Sequence, residues 1–208
     1  IAWRDRAQRS LDAVTAKTDE LTAALLSSRF HRAAAFVPQR EGDREGVVRV
    51  MDLAERYARA MVPDGESQQL LYAENLHPLL ESRAKEALWL GDLDLALARA
   101  QQVVDVDPYD SRAWLEVGQV RSRRDEWAAA AEAYVVAALL GPPASAIARH
   151  MAGLCFRRLG QPMIGAFFYQ AALEADPRAI SPREEIAALP DLPVLEALKA
   201  WSADSFSL

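Results

Sequence analysis

Cysteine is nearly absent: Cys155 is the single thiol in a chain of 208 residues. That excludes a disulfide framework and a cysteine-rich zinc site. Glycine is scarce at 9 residues, and lysine is scarcer, with three Lys against 21 Arg. No run of 18 uninterrupted apolar residues occurs; the nearest, Ala128–Leu140, contains Glu132 and is too short to cross a bilayer. The first 30 residues carry Arg4, Asp5, Arg6, Arg9, Asp12, Lys17, Asp19 and Glu20, so no secretory apolar region opens the chain. Net positive charge is missing too. The balance of 24 basic against 30 acidic residues gives −6, which argues against a surface built for phosphate and hence against a nucleic-acid partner. No membrane partner is expected, and cytoplasmic is the default location. The chain opens on Ile1 rather than Met, and further residues are expected upstream of it.

Alanine is what the chain has in excess, at 40 residues. With 51% apolar and 26% charged residues, the composition is that of a folded, globular chain. Ala and Arg are strong helix formers and turn residues are few, so helices are favoured. The Ala and Arg bias together suggests a GC-rich bacterial gene.

The chain repeats itself. Aligned on Asp-Pro and Gly-Pro pairs, segments 77–110, 111–144 and 146–179 superimpose. Pro108, Pro142 and Pro177 are spaced by 34 and then 35 residues, the extra one lying in the Gly141-Pro142-Pro143 turn. Each segment reads as two amphipathic helices joined by a tight turn. Small residues recur at the eighth position (Ala84, Gly118, Gly153) and the twentieth (Ala96, Ala130, Gly165). Val103, Ala137 and Ala172 share the twenty-seventh, and Trp114, Tyr134, Phe156 and Tyr169 supply bulk between them. Small residues let two helix backbones approach, and an aromatic fills the remaining gap. Gly91 and Gly160 mark the turns.

This pattern resembles the tetratricopeptide repeat, over about half the chain. It departs from it at Arg121, Arg149, Val103 and Asp125, the last standing at a turn position that is Gly in the other two copies. The resemblance implies an all-α protein, a right-handed α-solenoid of helix-turn-helix repeats with extra N-terminal helices and a C-terminal capping helix. The expected organisation is a helical segment over 1–76 (a hairpin or an extension), three repeats over 77–179, and capping helices and a tail over 180–208.

The flanks read as helices too. Residues 3–27 place Ala7, Leu11, Val14, Thr18, Leu21 and Leu25 on a heptad-like seam, predicting one helix. Phe30–Val37 continues it, Pro38-Gln-Arg-Glu-Gly-Asp is a turn, and Val47–Met61 is a further helix. Another covers 66–76, and Pro78 either opens the first repeat or kinks one long helix. Ser181-Pro182-Arg-Glu-Glu reads as a cap and first turn. Residues 193–203 form a last helix with Val194, Leu195, Leu198 and Trp201 on one side, covering the end of the array.

Signs of chemistry are few. His31, His77 and His150 lack metal-ligand spacing, and no phosphate loop appears. His150 and Cys155 point about 140° apart on a helix, so Cys155 is a buried structural residue. Asp105 and Asp107 sit at a helix end and need more oxygen ligands to hold a metal. Glu184 and Glu185 read as first-turn carboxylates favourable to the helix dipole. Trp89 and Trp114 read as packing residues, Trp127 as a cover for a turn, and Trp3 and Trp201 as end contacts. No catalytic, cofactor-binding or metal-binding residue is assigned, and no enzyme is expected.

The remaining candidate is a groove. In the family it resembles, first helices line the concave face, which here implies Pro78, Glu81, Lys85 and Leu88, then Arg112, Leu115, Gln119 and Ser122, then Ile147, His150, Leu154 and Arg157. The partner-binding residues expected from these are Lys85, Arg112, Leu115, Gln119, Ser122, His150, Leu154 and Arg157. One family subset clamps a C-terminal carboxylate with Lys and Asn where Glu81 and Lys85 stand, so that clamp is absent. Between Ala133 and Leu173 the formal charges are Arg149, Arg157 and Arg158, with Arg121, Arg123 and Arg124 upstream. Such a cluster suits an acidic peptide; the alternative is a solvated face whose Arg stems cover apolar surface. The function expected is a non-catalytic protein-interaction module, an adaptor or accessory subunit of a bacterial assembly. The alternatives are a homodimer paired through residues 7–25 and a regulatory or sensor domain of a larger enzyme.

Overall fold

Alanine spacing sets the packing of the helices. The computed structural model describes residues 2–189, with side chains from residue 5 onward. Every regular element among them is an α-helix, and the chain divides near Arg99 into two compact units. No helix among the described residues is long and apolar enough to cross a membrane.

The first unit holds α1 (Ala2–Thr15), α2 (Glu20–Ala34), α3 (Phe36–Glu41), α4 (Arg44–Arg59), α5 (Glu66–Leu90) and the start of α6 (Leu93–Val106). The single helix predicted over 3–27 is broken in two. Asp19 ends the seam because its carboxylate accepts the Thr22 amide at 2.9 Å and the Thr22 hydroxyl at 2.7 Å, which caps a new helix. Helix α1 then packs against α2, and Val14 of the expected seam is exposed. The turn predicted at Pro38 is a correction of the same kind. Pro38 lies inside α3, and the chain reverses at Gly42, whose φ is 72°.

Helices α2 and α4 pack side by side, and α5 lies against both. Their shared core is Ala35, Val47, Met51, Ala54, Ala58 and Leu79. Pro78 sits inside α5, which runs from Glu66 to Leu90, so a single long helix passes through it and no helix starts there. Buried charges tie the unit together. The Arg83 guanidinium meets Asp52 at 2.9 Å, Glu55 at 3.1 Å and Glu86 at 2.8 Å, and Arg99 reaches Glu86 at 3.2 Å.

The second unit contains the rest of α6, then α7 (Ser111–Arg123), α8 (Trp127–Leu140), α9 (Ser145–Arg158), α10 (Pro162–Ala175) and α11 (Ile180–Ala187). Each helix packs on the next from α7 to α11. The small positions work as the repeat implies. A Cβ on Gly118 would meet the Tyr134 ring at 2.6 Å, and one on Gly153 would meet Tyr169 at 2.5 Å. Both tyrosines are fully buried, as are Ala130, Ala137 and Ala172. Of the departures, Val103 is also fully buried, and Arg149 reaches across to the Ala171 carbonyl at 3.0 Å.

One turn recurs. Gly42, Gly91, Asp125 and Gly160 all take positive φ, and each time the following amide returns to a carbonyl five residues back. Those bonds run from Asp43 to Pro38, Asp92 to Ala87, Glu126 to Arg121 and Gln161 to Phe156. This closure satisfies helix carbonyls with one left-handed residue, a position Asp tolerates and Gly prefers. The cap predicted at Ser181 is corrected by one step: α11 begins at Ile180, Ser181 lies within it, and no side chain caps it. The expected helix over 193–203, with Trp201, lies outside the described residues, as does the side chain of Trp3.

Candidate partner-binding site

In the second unit the expected partner-binding residues fall on α7 and α9, which touch each other. They divide by exposure. Arg112 and Gln119 face solvent, and so does Ile147. Arg112 folds back on the cap of its own helix, with Nη2 at 3.2 Å from Asp110. Leu115 is half-buried and packs towards Ala131, Ala137 and Ala148. Ser122 is committed inward: its hydroxyl donates to the Gln119 carbonyl and lies 3.3 Å from the Tyr134 hydroxyl.

On α9 the set is mostly engaged. Leu154 packs against the cluster of Ala166, Tyr169, Leu173, Ile186 and Leu189, beneath α11. Arg157 pairs with Glu185 of α11. Glu185 was expected to serve the helix dipole, and it instead neutralises an arginine expected to face a partner. His150 lies 5.8 Å from the Tyr169 ring, with Nε2 buried and without a hydrogen-bond partner. Burial holds its imidazole below the ordinary value; Glu185 opposes that effect and Arg157 adds to it. Two of the remaining arginines are occupied as well, while the Arg121 Nε is buried without a hydrogen-bond partner. Arg124 pairs with Glu126 at 2.6 Å, and Arg158 lies over the Trp127 ring at 5.5 Å.

Cys155 is buried and its thiol is pushed up to about 11 by loss of solvation, so it is not a thiolate near neutral pH. Asp107 accepts the Tyr109 amide at 3.0 Å and Asp105 the Gln101 amide group at 3.3 Å, both of them local helix-end bonds. A hollow of about 500 Å3 beside α8 and α9 is lined by Ala131, Val135, Val136, Phe156 and Leu159, and Met163, Ile164 and Phe167 are exposed on α10.

In the first unit Lys85 is exposed on α5, 3.9 Å from Glu81. It borders a cleft of about 310 Å3 between α2, α3 and α5, whose other walls include Arg32, Phe36, Met51, Ser82 and Trp89. Of these, only Lys85 is marked by the repeat register. Ser82 and Trp89 lie inside the first repeat, Trp89 read there as packing; for Arg32, Phe36 and Met51 the signal is Gly42, a glycine ahead of an amphipathic helix, which marks another helix pair closed by the same turn.

No family model matches the chain, and no curated protein matches it. Solved structures do. YrrB, described as a TPR protein with an unusual peptide-binding site, superimposes with a TM-score of 0.58 at 15% identity, over 86% of this chain and 84% of that one. A fragment of MamA from Desulfovibrio magneticus RS-1 gives 0.58 at 20% identity, over 87% and 92%. The first TPR of Spaghetti (RPAP3), bound to the HSP90 peptide SRMEEVD, gives 0.50 at 18% identity, over 61% and 93%. The chain has the tetratricopeptide-repeat fold. That fold extends beyond the half of the chain marked by the repeat register, in keeping with the α2–α4 pair and its matching turn.

Proposed function

We propose that this chain is a non-catalytic protein-interaction module whose first helices hold a partner segment. The observation that carries the reading is the set Arg112, Gln119 and Ile147, left in solvent on α7 and α9 while the neighbouring faces are packed. A mixed polar and apolar row on a rigid helical scaffold suits an extended or helical peptide with a few anchored side chains. Rigidity limits the ordering cost of binding, so such a face is preorganised. Two solved proteins of the same fold support the reading: one was solved with a bound peptide, and the other is described by its peptide-binding site. The same chemistry is consistent with an adaptor or accessory subunit in a larger assembly.

A displayed library of random twelve-residue peptides, selected on the full chain, tests this. Binders are expected, and those resting on α7 and α9 should lose affinity for Gln119→Arg and Arg112→Glu, both solvent-facing changes that leave the core intact. A library yielding no binder would refute the interaction reading.

A further inference from the structure

An arginine without a partner stands in the first unit. The Arg32 Nε is buried and makes no hydrogen bond, and no carboxylate pairs with it among the described residues. A buried polar group left unpaired is costly and calls for a reason. Its surroundings supply one. Arg32 lines the cleft between α2, α3 and α5, where Lys85, 3.9 Å from Glu81, is the other cation on the wall; the Ser82 hydroxyl already donates to the Pro78 carbonyl. The Glu86 carboxylate also reaches this cleft, but Arg83 and Arg99 already hold it. Beside these donors lie apolar surfaces. Phe36 is 58% exposed, Met51 is on the floor, and Trp89 is steadied by Arg44, which lies 6.0 Å over its ring and bonds to the Leu90 carbonyl.

We infer that this cleft is a docking site for an acidic segment of a partner polypeptide, in which one Asp or Glu carboxylate pairs with Arg32 and an adjacent apolar side chain packs on Phe36 and Trp89. Charge complementarity selects this occupant. A carboxylate accepts from a guanidinium and an ammonium together, and such charge-assisted bonds are shorter and stronger than neutral ones. The volume of about 310 Å3 fits one or two side chains rather than a folded surface. In the second unit Arg124, Arg157, Arg149 and Arg158 are engaged with Glu126, Glu185, the Ala171 carbonyl and the Trp127 ring, and Arg121, whose Nε is also buried without a hydrogen bond, does not line the hollow beside α8. The inference rests on the interaction reading above and gives it a ligand chemistry.

The peptide selection distinguishes the two. Peptides selected on the full chain should be enriched in Asp or Glu next to an apolar residue. Replacing that acid by its amide should weaken binding about tenfold, the usual worth of a charge-assisted bond. Arg32→Gln should remove this tenfold preference, Lys85→Gln should reduce it, and raised salt should weaken the acidic peptide alone. The exposed Phe36→Ser change should lower affinity for both forms. Circular dichroism melts of each variant verify folding, and Lys85→Gln, at an exposed site, tests the cleft even where Arg32→Gln does not fold. Binders that show no acidic preference, or keep it in both charge variants, would overturn the inference and leave the interaction reading standing. A selection without binders would overturn both.

Discussion

At single residues, this protein depends on the contrast between small and large. Gly118 and Gly153 exist so that Tyr134 and Tyr169 can lie flat against the neighbouring backbone. Gly118→Ala forces a methyl group to within 2.6 Å of a fully buried ring. We expect it to lower stability by about 1–3 kcal/mol, the usual penalty for overpacking, read as a lower urea midpoint with unchanged slope. His150 makes a second prediction. Its folded-state pKa lies below 6.5, so as pH falls the unfolded chain takes up the proton first. The stability this residue contributes is complete above pH 6.5 and is lost as pH drops from there through the folded value. Urea midpoints between about pH 7 and about pH 5 should fall less steeply in His150→Gln than in the parent chain.

Among elements, the recurring turn explains both what could be read from the sequence and what could not. Gly91, Asp125 and Gly160 stand 34 and 35 residues apart and announce three helix pairs. Gly42 closes a fourth turn of the same kind, but 49 residues separate it from Gly91 because α5 starts at Glu66, well ahead of the register. A search for a 34-residue period therefore passes over it. The seam over 7–25 misleads for a different reason. Its apolar spacing is real, but a local cap at Asp19 outweighs periodicity that is left half exposed. Partner-facing residues were the least legible. A repeat position marks where a side chain emerges, and it gives no sign that Glu185 will take Arg157 or that no carboxylate will reach Arg32. The ion cluster between α4, α5 and α6 belongs to this scale too. Arg83→Met would leave the buried Glu86 with Arg99 as its remaining cation, and burial already raises the Glu86 pKa against the pull of both arginines. We expect a loss of about 3 kcal/mol in chemical denaturation. Pairing it with Glu86→Leu should recover part of the loss, because the stranded charge goes with its partner.

For the molecule as a whole, the proposed role is that of a non-catalytic interaction module. Its one thiol is buried, burial holds the His150 pKa below its ordinary value, and one turn recurs at Gly42, Gly91, Asp125 and Gly160. Under the proposed function, partner contacts fall on first helices, and the second helices serve packing. Photo-crosslinking tests this most directly. A benzophenone amino acid is introduced at Gln119 on α7, at Ile147 on α9, at Glu132 on α8 or at Phe167 on α10, all exposed positions, and a peptide selected on the full chain is added. Crosslinks are expected from Gln119 or Ile147, and none from Glu132 or Phe167, for peptides sensitive to Gln119→Arg. Crosslinks confined to α8 and α10 would contradict the proposed function.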